Sequence, residues 1–118
     1  MPLPTVLVVE DDPGILRLLE VSLEQGGFSV LLAHDGAEGI EVARAAVPDV
    51  IVSDVTMPRD SGLELLAALG GDDATKDIPI VLLSAERRMP APTGADDLVG
   101  KPFEPHDLVD RVHALLHR

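Results

Sequence analysis

Short, nearly uninterrupted apolar runs are the feature that most limits how this chain can fold. Stretches with the apolar spacing of a helix separate them. Such runs suit strands buried on both faces of a parallel sheet, whereas a sheet with one face in water shows alternation. The clear runs are Val6–Val9, Val30–Ala33, Val50–Val52 and Ile78–Leu83, and Asp97–Val99 is a weaker fifth. This order of elements predicts an open, doubly wound α/β sheet with right-handed crossovers.

Three helices are predicted between the strands and one after the last. Their boundaries carry the usual capping residues: Asp12–Pro13 and Gly26–Gly27, Asp35 and Pro48, Ser61 and Gly70–Gly71, and Glu104–Pro105 at the start of the last helix. The segment between the fourth and fifth strands differs, because it contains Pro90 and Pro92. Each proline removes a backbone donor and biases its predecessor toward extended geometry. We therefore expect a shortened or missing helix across residues 86–93.

Composition narrows the class of protein. A length of 118 residues predicts a single domain, residues 1–118. The absence of cysteine excludes disulfides and thiolate metal sites. No apolar run approaches the roughly 20 residues of a membrane helix, and no basic segment precedes an apolar one at the N-terminus, so we expect a cytoplasmic protein without membrane contact. The net charge of −12 argues against direct nucleic-acid binding.

Polar side chains follow four of the predicted strands. The first run is followed by Glu10-Asp11-Asp12, the third by Asp54, the fourth by Ser84 and the fifth by Lys101. In doubly wound sheets, ligands bind beyond the carboxyl ends of the strands, so these side chains are expected at one edge. Carboxylates suit Mg²⁺, and one of them can act as a nucleophile toward a phosphoryl group. A lysine and a hydroxyl can stabilise the phosphoryl charge.

Four segments resemble the signature segments of response-regulator receiver domains: VLVVEDDP, DVIVSDVTMPRDSG, IPIVLLSA and GADDLVGKPF. The resemblance implies a flavodoxin-like, five-stranded parallel sheet of order 2-1-3-4-5 with helices on both faces. It also implies a role for each site residue. Asp54 is the phosphoryl acceptor, Glu10, Asp11, Asp54 and the Thr56 carbonyl bind Mg²⁺, Ser84 is the switch hydroxyl, and Lys101 pairs with the phosphoryl group.

A signalling function follows from the same resemblance. A histidine kinase or histidine phosphotransfer protein would donate the phosphoryl group, and the domain would change conformation to regulate a partner or output domain. Such a domain catalyses only its own phosphoryl acceptance and slow dephosphorylation, so it is not expected to be a metabolic enzyme. The sequence identifies neither the kinase, the effector nor the oligomeric state, nor whether the chain stands alone or belongs to a longer regulator.

Two features depart from the receiver pattern. Leu98 occupies the position, three residues before the lysine, where receivers usually carry Tyr or Phe. Ser84 and Lys101 are 17 positions apart, several fewer than the family pattern implies. The residues missing are those of the fourth helix, part of the surface that receivers use for dimerisation and output. How the switch is transmitted therefore stays open.

Three other functions share features with this sequence. A degenerate receiver would act as an interaction module without phosphorylation. A phosphatase with an aspartyl nucleophile would need a second acid where this chain has Thr56, and a flavin binder would need a glycine- and hydroxyl-rich loop after the first strand.

Outside the site, Asp12 is predicted to cap the first helix, and His113 and His117 are predicted to lie on a solvated helix face.

Overall fold

The computed structural model describes residues 3–55, 62–85 and 95–117. In the described residues, five strands and four helices follow one another in this order: β1 Thr5–Val9, α1 Pro13–Gln25, β2 Ser29–Ala33, α2 Gly36–Ala46, β3 Val50–Asp54, α3 Gly62–Gly70, β4 Ile80–Ser84, β5 Asp97–Gly100 and α4 Pro105–Leu116. The segment in which we predicted a shortened or missing helix, 86–93, lies outside the described residues.

The strands form one parallel sheet of order β2-β1-β3-β4-β5, which confirms the predicted topology. Successive side chains of a strand point to opposite faces, and β1 shows this directly. Val6 and Val8 join the apolar cluster under α1 and α4, whereas Leu7 and Val9 join the cluster under α2 and α3. Helices thus cover both faces, which is why the strands are apolar without alternation.

Two aspartates begin helices as predicted. The Asp12 carboxylate accepts hydrogen bonds from the N–H groups of Gly14 and Ile15 at the start of α1. The Asp35 carboxylate accepts one from the N–H of Glu38 at the start of α2. Both satisfy donors that a helix leaves unpaired in its first turn.

The fourth apolar run was predicted to begin at Ile78, but β4 begins at Ile80. The Ile78 N–H donates to the Thr75 carbonyl and so closes a turn instead of entering the ladder. The first sheet contact of this segment is made by Pro79, whose carbonyl accepts from the N–H of Ile51. The apolar run therefore begins two residues before the strand does.

A β-branched residue lies in the left-handed region at the end of α2. Val47 has φ 45° and ψ 69°, and its N–H donates to the carbonyl of Ala43. A Cβ crowds the following carbonyl in this conformation, at a cost of roughly 1–2 kcal/mol. The valine side chain gains little burial in return, since Val47 is 49 % exposed.

Val47→Asn should raise the free energy of unfolding by about 1 kcal/mol, because asparagine tolerates the left-handed region better than a β-branched residue. Urea denaturation of both proteins measures the change. Ala46→Asn is the matched control, since Ala46 is exposed and is the last residue of α2. It should lower stability by a few tenths of a kcal/mol, about the helix-propensity difference between the two residues. Equal destabilisation by both substitutions would show that Val47 is not strained.

Among residues 3–55, 62–85 and 95–117, none of the helices has the length and apolar character of a membrane span.

Candidate functional site

The pairing register brings four strand ends to one edge of the sheet. Val9 pairs with Ser53, so the residues that follow them, Glu10 and Asp54, come side by side. Ser84 is the last residue of β4 and pairs with Gly100, directly before Lys101. The predicted convergence of these side chains therefore follows from strand order and register alone.

Backbone hydrogen bonds hold these positions beyond the strands themselves. The Glu10 N–H donates to the Ala33 carbonyl at 3.1 Å, and the Lys101 N–H donates to the Ser84 carbonyl at 2.7 Å. The Lys101–Pro102 peptide bond is cis. The side chains at the edge thus project from backbone that is already hydrogen-bonded.

Three carboxylates cluster at this edge. Glu10, Asp11 and Asp54 each offer an oxygen, and these oxygens lie within 4.8 Å of one another. Glu10 is 1 % exposed and Asp54 5 % exposed, whereas Asp11 is open to solvent. Burying two acids side by side is costly unless a cation or hydrogen bonds compensate their charge.

Lys101 supplies such a cation. Its Nζ lies 3.3 Å from Glu10 Oε2 and 3.2 Å from Asp54 Oδ2. The lysine side chain is 18 % exposed, so these are largely desolvated ion pairs. The resemblance to receiver domains predicts that Lys101 pairs with a phosphoryl group. In the structure its ammonium also bridges the two buried acids.

Burial and charge shift the protonation of this pair. Burial raises the pKa of Glu10 to about 7; the Asp12 N–H, which donates to Glu10 Oε1 at 3.2 Å, lowers that pKa in part, and the neighbouring Asp54 charge raises it. For Lys101, burial disfavours the ammonium, but the charges of Asp54 and Glu10 outweigh burial and raise its pKa. Lys101 is therefore a fixed cation at neutral pH, and the ionisation of Glu10 is sensitive to its surroundings.

The oxygen donors fit a hard divalent cation. Mg²⁺ binds oxygens at 2.0–2.1 Å in octahedral geometry, which places neighbouring ligands about 3 Å apart and opposite ones about 4 Å apart. Carboxylate oxygens already within 4.8 Å of one another need only small side-chain rotations to reach that spacing. The exposed Asp11 leaves one side open to water, and Mg²⁺ usually retains several waters. Thr56, predicted to add a carbonyl ligand, lies outside the described residues.

Ser84 is 2 % exposed and lies at the end of β4, beside the strand that carries Asp54. Its carbonyl accepts the Lys101 N–H, so the hydroxyl-bearing residue and the lysine are tied through the backbone. A displacement at the end of β4 would therefore shift both residues.

In metal-free buffer, wild-type stability should fall as pH rises from about 5.5 to about 8.5 more steeply than that of Glu10→Gln. The folded-state pKa of Glu10, about 7, exceeds the ordinary value of 4.5, so the folded protein binds this proton more tightly than the unfolded chain. Its contribution is present at low pH and lost as pH rises through 7. Urea midpoints at both pH values measure it.

The control for that experiment is Glu41→Gln. Glu41 lies exposed on α2, so the substitution removes one carboxylate without touching the site. Its stability should show the wild-type decline with pH. If Glu10→Gln declines as steeply as Glu41→Gln, the buried carboxyl of Glu10 is not the group responsible.

The prediction of a solvated face for His113 was wrong. His113 is half-buried, its Nε2 lies 2.8 Å from the Gly26 carbonyl, and its ring packs on Phe28 at 4.5 Å between centroids. An added Cβ at Gly26 would meet Val109 at 2.5 Å, so α1 and α4 approach closely there. His113 thus joins two helices at the end of the sheet remote from the acids. A helical spacing of two histidines carries no information about a contact 87 residues away.

Comparison with known proteins agrees with this geometry. The family model described as "Response regulator receiver domain" matches residues 6–113. The chain is 42 % identical over 118 residues to response regulator MprA of Mycobacterium tuberculosis, covering 96 % of this chain and 50 % of that protein. It is 36 % identical over 121 residues to the "DNA-binding dual master transcriptional regulator RpaA" of Synechocystis, covering 98 % and 50 %.

A solved structure extends the likeness to three dimensions. Chemotaxis protein CheY4 of Vibrio cholerae superposes with a TM-score of 0.87 at 31 % identity, over 97 % of this chain and 99 % of that one. The chain spans about half the length of the two curated relatives, MprA and RpaA, and nearly all of CheY4.

Proposed function

Because the chain belongs to the family of response regulator receiver domains, we propose that Asp54 accepts a phosphoryl group from a histidine kinase or a histidine phosphotransfer protein. Receiver domains are signalling switches of two-component systems, and they bind Mg²⁺ at an acidic pocket. The observation that carries the proposal is the buried pair Glu10 and Asp54, facing Lys101 and open to solvent at Asp11. Two buried carboxylates with only one lysine carry an uncompensated negative charge, which is unfavourable for folding unless a cation binds there.

Each side chain has a distinct task in the proposed reaction. An Asp54 oxygen attacks phosphorus, a new O–P bond forms, and the P–N bond to the donor histidine breaks with its electrons left on nitrogen. Glu10, Asp11 and Asp54 would hold the cation, with Thr56 as a further proposed ligand. When bound, Mg²⁺ neutralises charge on the incoming phosphoryl oxygens.

Lys101 and Ser84 act on the product. The Lys101 ammonium, 3.2 Å from Asp54 Oδ2, is placed to pair with a phosphoryl oxygen attached there. The Ser84 hydroxyl would donate to another phosphoryl oxygen, which draws the end of β4 toward the acceptor. Water would later hydrolyse the acyl phosphate slowly and reset the domain.

An apolar surface beside the site supports a protein as the donor. Ile15, Leu18, Pro102 and Phe103 line a cavity of about 350 Å³ next to Lys101, and Leu18 is 45 % exposed. Exposed apolar side chains rimmed by polar ones are typical of protein contact surfaces. We propose that the phosphoryl-donating partner packs here and so brings its histidine to Asp54.

The output of the switch is also a proposal. Phosphorylation adds about two negative charges at neutral pH, and the domain would repack to regulate a downstream effector. Leu98 is half-buried in the cluster under α2 and α3, where it takes the place of the usual aromatic side chain. The negative charge of the chain disfavours nucleic acid as a direct ligand of this domain.

The single-domain extent, residues 1–118, and the cytoplasmic location stay predictions.

Incubation with acetyl phosphate and Mg²⁺ tests the proposal. Intact-mass measurement should show the gain of one phosphoryl group, and the gain should be absent when EDTA replaces Mg²⁺. A protein that shows no gain from acetyl phosphate or from a phosphorylated histidine phosphotransfer protein would instead be an interaction module. A gain that survives EDTA would remove the cation from the mechanism.

A further inference from the structure

Asp12 contacts both the first turn of α1 and the buried carboxylate of Glu10. Its carboxylate Oδ1 accepts from the N–H groups of Gly14 at 2.8 Å and Ile15 at 3.2 Å, and its carbonyl accepts from the Leu16 N–H at 2.9 Å. Its own N–H donates to Glu10 Oε1 at 3.2 Å. Asp12 therefore connects the first turn of the helix to a buried carboxylate of the site.

Asp11 lies between two residues that are held in place. On one side, the Glu10 N–H is bonded to the Ala33 carbonyl in β2; on the other, Asp12 is fixed as the helix cap. Asp11 itself is exposed, so packing does little to restrain it. Its position among the three carboxylates depends on the backbone on either side.

We propose that Asp12 is a positioning residue for Mg²⁺ binding, holding Glu10 and Asp11 in binding geometry through its cap and its N–H. The inference rests on the proposed function, since it assumes that these acids hold the cation. Loss of the cap frees the first turn, weakens the bond to Glu10 and gives Asp11 more conformations to lose on binding. Groups that orient metal ligands without touching the metal typically contribute 10–100-fold to affinity.

The test is calorimetric titration of Mg²⁺ into the full chain and its variants, at a temperature where circular dichroism shows each to be folded. Asp12→Ala should weaken the Kd about tenfold. Asp12→Asn keeps an oxygen that caps the helix and should stay within about threefold of wild type. Asp35→Ala removes the equivalent cap of α2, which bonds the Glu38 N–H, and should leave the Kd unchanged.

A second measurement separates positioning from a damaged reaction centre. At saturating Mg²⁺, Asp12→Ala should accept the phosphoryl group from acetyl phosphate at nearly the wild-type rate, because the defect lies in cation affinity alone. A rate that remains low at saturation would refute a role confined to positioning the metal ligands.

The other outcomes are equally decisive. An unchanged Kd in Asp12→Ala overturns the inference while leaving the proposed function intact. A Kd as weak in Asp12→Asn as in Asp12→Ala would assign the effect to charge, and an equal loss in Asp35→Ala would assign it to general stability; either result refutes positioning. A wild-type protein that binds no Mg²⁺ refutes the proposed cofactor and this inference together.

Discussion

Asp54→Asn should eliminate the phosphoryl mass gain, lowering its rate at least about a thousandfold, the scale on which loss of a nucleophile slows a reaction. The amide lacks the anionic oxygen that attacks phosphorus. Asp54 is only 5 % exposed at the end of β3, and asparagine has nearly the same size and shape, so the packing around this position should be preserved. Intact mass after incubation with acetyl phosphate and Mg²⁺ measures the result.

Asp77→Asn provides the matched control. Asp77 is exposed and precedes β4, at the end of the sheet opposite the acids. This variant should gain the phosphoryl group at the wild-type rate. A gain that persists in Asp54→Asn would show that another carboxylate accepts the phosphoryl group. Glu10 and Asp11 would then be the next residues to substitute.

Lys101→Met should have the second largest effect, and it should act on both stability and metal affinity. Removing the ammonium leaves Glu10 and Asp54 buried near each other without the cation that lies 3.3 Å and 3.2 Å from them. Breaking a buried ion pair by removing one partner typically costs about 3–5 kcal/mol. In EDTA at neutral pH, the free energy of unfolding should fall on that scale, as measured by urea denaturation.

Added Mg²⁺ should restore much of that stability, because the metal replaces the missing positive charge between the acids. For the same reason, Lys101→Met should bind Mg²⁺ more tightly than wild type in a calorimetric titration, even though it accepts the phosphoryl group poorly. A variant that loses Mg²⁺ binding would show that the lysine organises the ligands instead of competing with the cation.

Lys76→Met is the control for both measurements. Lys76 Nζ pairs with Asp73 at 3.3 Å, but the two side chains are 50 % and 99 % exposed. Exposed ion pairs contribute roughly 0–1 kcal/mol, so this substitution should change stability little and Mg²⁺ affinity not at all. If Lys101→Met proves as mild as Lys76→Met in EDTA, the pairs at the strand edge are not desolvated as the structure shows them.

Local rules predicted most of the architecture. The strands followed from apolar runs that need cover on both faces, and Asp12 and Asp35 were identified as caps because their carboxylates suit unpaired helix donors. The error at Ile78 arose because an apolar residue can pack in a partly buried turn as well as in a strand. The left-handed conformation of Val47 was also missed, because no sequence pattern favours a β-branched residue in that geometry.

The convergence of these polar residues at one edge of the sheet was also predictable, because parallel strands bring their carboxyl ends together. The residues at those ends are Glu10, Asp11, Asp54, Ser84 and Lys101. What each residue contacts was not predictable. The Lys101 ammonium pairs with Glu10, which lies 91 positions away in the sequence. The pKa of Glu10 reaches about 7 because burial excludes water from its carboxyl.

Sequence by itself thus determined the elements, their order and the chemical types at the sheet edge, because these depend on local periodicity and on general rules of parallel sheets. The tertiary structure alone decided burial, ion pairing and the contact of His113 with Gly26. Those properties depend on distances between segments far apart in the chain, and on how much water the packed strands and helices exclude from each group.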